Sequence, residues 1–483
     1  MPMRLLQLEK WLAPLGGKLP TLYLVGGSVR DICLGRPFKD LDLVSREAAD
    51  FAVTLAQTRD AALVPLLKHP QQPCFRVVDR NDPKVFLDIV PLRGETIQTD
   101  LALRDFTINA MAVAVGAGGH LGPLEDPFGG SADLHEGIVR QVTVRSVWED
   151  PLRILRAYRF GAELGFRIEG KTLREIRRAS DRLGQVASER VAAELMAILG
   201  HPTCTRWLHR MDEDGVLEAV FPEIRHLKGC RQNGYHDKDV WGHTLEVVER
   251  CEEILGRTAF FFGSAAQRLT ALVQKDDNAA LLKLSALLHD VGKPRTRKEH
   301  PSTGRVTFYG HDALGAEMAR AVCERLRLSA NRRQVVACLV AEHRHAQDLL
   351  APHVKGTTRV SWFREHRERA VLCTVLAMAD LLAKKGPCAS RQEMDVLLSA
   401  AGAMVRDYWD NLRERIDSPS LVTGYDIMAL GLAPGPFMGK VLRRVREAQD
   451  AGQITTRNQA LAKVRVLAGF GRAGARKEGA WDK

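Results

Sequence analysis

Residues 22–45 read Leu22-Tyr23-Leu24-Val25-Gly26-Gly27-Ser28-Val29-Arg30-Asp31, and then, after a short loop, Asp40-Leu41-Asp42-Leu43-Val44-Ser45. Asp40 and Asp42 lie in an alternating run, so on a strand both carboxylates face the same way, with Cα atoms ~7 Å apart. Two carboxylates so placed can share Mg²⁺, a hard cation that prefers oxygen ligands and substrate phosphates. Gly26-Gly27 joins an apolar run to a helix start and offers bare backbone N–H groups to a phosphate. Each piece alone is common and usually idle. In this order they point to nucleotidyl transfer, and no third glycine completes a dinucleotide-binding fingerprint.

A second constellation is Glu149-Asp150-Pro151-Leu152-Arg153-Ile154-Leu155-Arg156-Ala157-Tyr158-Arg159-Phe160. Asp150 suits a helix N-cap and Pro151 the first helical position. Arg153, Arg156 and Arg159 then fit either a solvated face or a phosphate-binding one. The i, i+3 spacing also puts Asp150 and Arg153 on one helix face. A carboxylate accepts from an exocyclic amine, and a guanidinium donates to a ring nitrogen. Cytosine and adenine share that pattern, whereas guanine and uracil reverse it, so one Asp/Arg pair could admit CTP and ATP only.

These motifs resemble those of the class II tRNA nucleotidyltransferases, the CCA-adding enzyme and bacterial poly(A) polymerase family, over nearly the whole chain. Gly26 to Asp31 with Asp40-Leu41-Asp42 is similar to its catalytic motif A. Arg104-Asp105-Phe106-Thr107-Ile108-Asn109-Ala110 resembles motif B, whose Arg-Asp contacts the incoming nucleotide and its ribose. Leu124 to Gly130 resembles the hinge-like motif C. Glu149 to Arg153 resembles motif D, the amino-acid template for C and A, and Glu189-Arg190-Val191-Ala192-Ala193-Glu194 resembles the neck-bracing motif E. Leu103 departs from the pattern, standing where motif B commonly has a second arginine. Arg30 and Arg156 are the candidates to replace its triphosphate contacts.

The resemblance implies Mg²⁺ on Asp40 and Asp42, with Asp88 as a third catalytic carboxylate. It implies nucleotide contacts from Gly26, Gly27, Arg30, Arg104, Asp105, Asn109, Asp150, Arg153, Arg156 and Arg159. The implied partner is tRNA, gripped at acceptor stem and elbow. For Asp88, in Val85-Phe86-Leu87-Asp88-Ile89-Val90, a solvent-facing aspartate is the alternative.

Histidines form the third constellation. His289-Asp290 ends an apolar helical run and precedes Val291-Gly292-Lys293; upstream lies Tyr235 to His243, downstream Tyr309-Gly310-His311, His343 and Asp380. The ordered series resembles the HD phosphohydrolase superfamily, in which such residues hold a divalent metal. The resemblance implies His243, His289, Asp290 and Asp380 as ligands, with His311 and His343 as further ligands or phosphate contacts. In this family HD domains are associated with phosphatase, 2′-nucleotidase or 2′,3′-cyclic phosphodiesterase activity; a helical RNA-supporting role without turnover is the alternative.

The elements that must position these groups show in the periodicity. Up to residue 145, short β-type runs (22–25, 41–44, 75–78, 86–90 and 138–144) alternate with helical ones; beyond 150 almost everything has helical period. The expected fold class is therefore α+β: a nucleotidyltransferase head of mixed sheet and helices (1–145), a helical neck (146–230), an HD region (231–385), and a C-terminal helical region with a flexible basic tail (386–483). At 483 residues the chain has room for several domains. Its 70 Lys+Arg against 59 Asp+Glu give +11 and a pI near 9.3, a modest bias toward a polyanionic partner. Nine scattered cysteines without a Cys-x-x-Cys suggest reduced thiols and a cytoplasmic setting. No apolar run nears the ~18 residues of a membrane span, and Glu9 and Lys10 within the first leucine-rich stretch argue against a signal peptide.

The expected activity is template-independent addition or repair of the tRNA 3′-terminal CCA from CTP and ATP, by Mg²⁺-assisted displacement of pyrophosphate. A poly(A) polymerase is the near rival, but its Gly-basic-basic-Phe signature is missing from 62–70, Ala62-Leu63-Val64-Pro65-Leu66-Leu67-Lys68-His69-Pro70. A CC-adding or A-adding specialist shares the same motifs. From another class, the chain could be an HD phosphohydrolase with an RNA-binding head.

Overall fold

In a computed structural model of the chain, residues 3–16, 19–37, 41–69 and 72–469 are described. Asp40 and the tail from 470 onward, expected to be flexible, lie outside the described residues. The chain divides into two compact units, Met1–Pro222 and Glu223–Lys483.

The first unit is built on a seven-stranded mixed sheet: β1 (Leu22–Val25), β2 (Asp42–Ser45), β3 (Ala62–His69), β4 (Gln72–Val78), β5 (Phe86–Pro91), β6 (Ala112–Val115) and β7 (Leu121–Glu125), in the order β3-β4-β5-β2-β1-β6-β7. Only β2 and β5 run parallel. Both carry alternating apolar residues whose inward side chains (Leu43, Leu87, Ile89) are buried, so their register is set by the core. β3, β6 and β7 were not among the expected strands. The strand expected over 138–144 is only Ile138–Val139, paired with Arg167–Ile168. Beyond it the backbone is diverted to the loop after Ala102: Thr107 N–H donates to Arg140 O (2.9 Å) and Val142 N–H to Asp105 O (3.2 Å). That diversion pins the Arg104–Asn109 segment beside the sheet. Helices follow, notably Leu152–Leu164 and Ser188–Gly200, which pack together; Leu155, Ala157 and Leu195 are among their buried residues.

The second unit is almost wholly helical. Helices Val240–Gly256, Asn278–Leu288, Ala330–Asp348 and Glu368–Leu382 pack against one another. Nearly every residue of Asn278–Leu288 and Glu368–Leu382 is buried, which explains why they read as apolar on all sides rather than amphipathic. Further on, Gly424–Ala429, Pro436–Asp450 and Arg457–Leu467 enclose a smaller core of Val422, Ile427, Val441, Val445 and Val464. Among the described residues no helix is long and apolar enough to cross a membrane, and all nine cysteines are free.

Candidate active sites

In the head, β2 and β5 place Asp42 and Asp88 as direct register partners. Neighbouring strands lie ~4.8 Å apart, so the two carboxylates leave the same face side by side. Asp88 is 1% exposed, which removes the solvent-facing alternative. Its two oxygens accept from Arg76 Nε (2.7 Å) and Nη2 (2.8 Å), and the Arg76 guanidinium stacks 3.8 Å from the Phe86 ring centroid. The Asp42 N–H donates to Ser28 Oγ (3.3 Å), tying this strand to the glycine turn. Oxygen donors of this kind fit a hard divalent cation.

Above the carboxylates, Gly26 caps the seven-residue helix Gly27–Cys33 at φ +69°, ψ −134°. A Cβ there would stand 2.9 Å from Arg104 Nη1, so glycine admits both the backbone shape and the guanidinium. Arg104 is held by Asp100 Oδ2 (Nε 3.0 Å, Nη2 2.9 Å), and Arg93 Nε donates to the other oxygen (2.9 Å). Burial opposes ionisation of Asp100, but Arg104 and Arg93 hold its pKa below the usual range.

Asp105 is the hub of the next layer. It accepts from Phe106 N–H (2.8 Å), Asn109 Nδ2 (3.0 Å), and Arg156 Nε (2.8 Å) and Nη2 (2.7 Å). Burial would raise its pKa, yet the Arg156 charge and these donors bring it to about 2. Asn109 Oδ1 in turn accepts from Arg30 Nη1 (2.9 Å). Glu194 accepts from Arg156 Nη1 (3.3 Å) and Arg159 Nε (2.6 Å). One connected set of charge-assisted bonds thus joins the glycine-turn helix, the 104–109 segment and the two neck helices.

Asp150 and Arg153 share a helix start but do not pair with each other. Asp150 Oδ1 accepts from Leu152 N–H (3.3 Å) and Oδ2 from Arg190 Nη2 (2.9 Å); the helix begins one residue later than expected, at Leu152, with Pro151 rather than Asp150 in the N-cap position. Arg153 donates to the carbonyls of Arg104 (3.2 Å), Ser146 (3.3 Å) and Leu103 (2.7 Å), and burial lowers its pKa. These bonds take three of five N–H donors, and each Asp150 oxygen keeps a lone pair, so both retain capacity for a base edge.

In the helical unit, His243, His289 and Asp380 bring ligand atoms within 4.8 Å of one another, and so do Asp290, His311 and His343. Nδ1 of His289, His311 and His343 sits 2.8, 2.7 and 2.7 Å from the carbonyls of Ala286, Phe308 and Val340. Donation there fixes the tautomer and turns each Nε2 lone pair inward, as in metal-binding imidazoles. Asp290 reaches both sets, with Oδ2 3.0 Å from His289 Nε2 and Oδ1 3.4 Å from His311 Nε2. Lys293 Nζ lies 2.6 Å from Oδ2. His289 Nε2 and His311 Nε2 are buried without a hydrogen-bond partner, and both lie close to the Asp290 carboxylate. Buried, converging nitrogen and oxygen ligand atoms fit a divalent cation. Burial keeps His343 near pKa 3, and Asp380 is held well below the usual range against burial by Lys384 and His243. The His-Asp turn approaches its neighbour closely: a Cβ on Gly292 would lie 2.4 Å from His311 O. The cluster floors a cavity of about 590 Å³ whose wall includes Lys293, Arg305, Arg344 and Lys384.

Three family models match the chain: "Poly A polymerase head domain" over 22–140, "Probable RNA and SrmB-binding site of polymerase A" over 165–227, and "HD domain" over 240–384. An A-adding tRNA nucleotidyltransferase of Deinococcus radiodurans is 34% identical over 451 residues, which cover 92% of this chain and 94% of the relative. The chain belongs to the tRNA nucleotidyltransferase family. This nucleotidyltransferase is also 32% identical to a CC-adding enzyme of Thermus thermophilus over 91% of its own length and 92% of the relative's. A Thermotoga maritima CCA-adding enzyme complexed with tRNA shares the fold, with TM-score 0.63 and 22% identity over 97% of this chain and 96% of that one.

Arg30, Asp105, Asn109, Arg156 and Arg159 share one hydrogen-bonded network, while Asp42 pairs in register with Asp88, Arg104 is held by Asp100 and Asp150 by Arg190; the six HD residues fall into two adjacent groups. Several partners escaped sequence reading. Arg76, Arg93 and Asp100 hold Asp88 and Arg104, and Glu194 and Arg190 orient Arg156, Arg159 and Asp150 from a helix some forty residues away. No local signal marks them, apart from the motif that contains Arg190 and Glu194. Lys293 was visible three residues after Asp290; Lys384, whose Nζ lies 3.2 Å from Asp380, was not.

Proposed function

We propose that this nucleotidyltransferase adds or repairs the 3′-terminal CCA of tRNA from CTP and ATP without a nucleic-acid template, in the cytoplasm. The observation that carries the reading is the register pair Asp42–Asp88, tied through Ser28 to the glycine-turn helix, with Arg104 close to Gly26 and Asp105 holding Arg156.

Asp42, with Asp88 and Asp40, would hold Mg²⁺, which when bound supplies charge to acidify the RNA 3′-hydroxyl and to neutralise the leaving pyrophosphate. Arg104 and Asp105 orient the nucleotide and its ribose. The glycine turn lets the triphosphate approach the backbone, and because its helix is only seven residues long, most of the positive charge comes from arginines. Asp150 and Arg153 read the base. The new bond joins the 3′-oxygen to the α-phosphorus, the bond to the β-phosphate oxygen breaks, and pyrophosphate leaves. Acceptor stem and elbow lie along the basic neck and C-terminal helices. The family models over 22–140, 165–227 and 240–384 support reading a head, a neck and an HD region as separate parts.

The six HD residues form two adjacent groups of three, with Asp290 of one beside His289 of the other, and a divalent metal there would support hydrolysis of phosphate esters. A second reading of the head has its own support: three relatives that cover 91–92% of this chain are an A-adding and two CC-adding enzymes. The deciding experiment offers tRNA ending at the discriminator base, at C or at CC, with labelled CTP or ATP. Extension of all three to CCA supports full addition. Extension of the CC end alone by one A, or of the first two ends to CC with no A, makes the enzyme a specialist. Long A tails on varied RNAs overturn both.

A further inference from the structure

Phe160 closes the sequence run Arg156-Ala157-Tyr158-Arg159-Phe160 and is 3% exposed. Three guanidinium groups surround its ring: Arg30 at 5.2 Å from the centroid, Arg156 at 5.2 Å and Arg159 at 4.6 Å. Its remaining aromatic neighbour is Phe106, edge-on at 5.7 Å. Three like charges about one side chain repel one another. Each has an acidic partner on its outer side: Asp31 for Arg30, Asp105 and Glu194 for Arg156, and Glu194 and Glu163 for Arg159. The shared attraction on the inner side is the negative face of the phenyl ring. An aliphatic residue of similar size would fill the space and supply no such field.

The arginines come from two segments, the Gly27–Cys33 helix and the Leu152–Leu164 helix, so the ring lies among cations that the chain supplies from separate elements. Leu103, whose side chain offers no charge, leaves triphosphate binding to other cations. We propose that Phe160 is a positioning residue for the incoming nucleotide, holding Arg30, Arg156 and Arg159 as one cation set for its triphosphate. This rests on the reading that the head binds nucleoside triphosphates.

The test compares Phe160→Leu, Phe160→Met and Phe160→Tyr in the full chain, with folding checked by circular dichroism. KM for ATP or CTP is expected to rise about tenfold with Leu or Met, equivalent to about 1.4 kcal/mol. The factor in kcat should be at least threefold smaller, and Tyr, which keeps the ring face, should restore KM. In an Arg159→Gln background the same Phe160→Met change should raise KM by a clearly smaller factor, because part of its effect passes through that arginine. A folded Leu or Met variant with wild-type KM, a loss confined to kcat, or full additivity with Arg159→Gln overturns the proposal. If the wild-type protein extends no tRNA, the transferase reading fails by itself. ATP dissociation constants of the same variants, from equilibrium dialysis, then decide the role of Phe160 by the same ratios.

Discussion

Replacing Asp105 by asparagine tests the hub of the nucleotide site. The carboxylate accepts four hydrogen bonds, two from the Arg156 guanidinium, and its pKa falls from 3.8 to about 2. At ~1.4 kcal/mol per tenfold change in acidity, that fall corresponds to about 2 kcal/mol of stability. Asparagine keeps the shape but turns an amide N–H₂ toward Arg156 or Phe106, so one donor faces another. Leaving a buried partner unpaired costs ~3–5 kcal/mol, but Glu194 still holds Arg156, which puts the expected loss at about 2–3 kcal/mol. The sign follows from linkage. A carboxylate with a depressed folded-state pKa stabilises fully above its unfolded value and loses that contribution as pH falls through the folded one. The wild-type chain should therefore lose this increment between pH ~4 and ~2, and Asp105→Asn should lack that part of the acid slope. Urea denaturation of the full chain at a series of pH values, followed by fluorescence, measures both. A cost below ~0.5 kcal/mol at pH 7, or an unchanged acid slope, would refute the reasoning.

Asp42→Ala should slow nucleotide addition by ~10³-fold or more while tRNA affinity in filter binding stays close to wild type; near-normal turnover would remove Asp42 from the metal site. Gly26→Ala forces a side chain into a positive-φ backbone 2.9 Å from Arg104 Nη1, and should lower stability by ~1–3 kcal/mol and raise KM for nucleotides. Gly27→Ala, whose nearest atom would be 3.6 Å away, is the control, and equal effects at both positions would discount the steric argument. His289→Ala should reduce the divalent metal retained after dialysis, measured by elemental analysis, while transfer to tRNA continues. Unchanged metal content would exclude His289 as a ligand.

Some of these features are legible in a single sequence because their physics is local. The Gly26-Gly27 turn, the Asp40-x-Asp42 alternation and the Asp150-Pro151 helix start depend on spacing within a few residues, and the change from β-type to helical period marks the α+β organisation. The extent of the sheet was less visible. β3 begins Ala62-Leu63-Val64-Pro65, with a proline and exposed apolar residues, and its pairing with β4 at the sheet edge has no local signature. The apparent strand over 138–144 ends early because its backbone groups bond to the 105–107 segment, a competition that periodicity does not report.

The sequence by itself determined the chemical inventory: carboxylates on an alternating run, a glycine turn, arginines at helical spacing, and histidines in HD order. Only tertiary structure decided which of them meet. Asp88 stands beside Asp42 because β5 pairs parallel with β2. Glu194 reaches Arg156 and Arg159 because two neck helices pack together, and Phe160 collects Arg30 from a helix well over a hundred residues earlier in the chain. Strand pairing and helix packing follow from burial summed over the whole core, so contacts between charged groups far apart in sequence leave no mark in either neighbourhood.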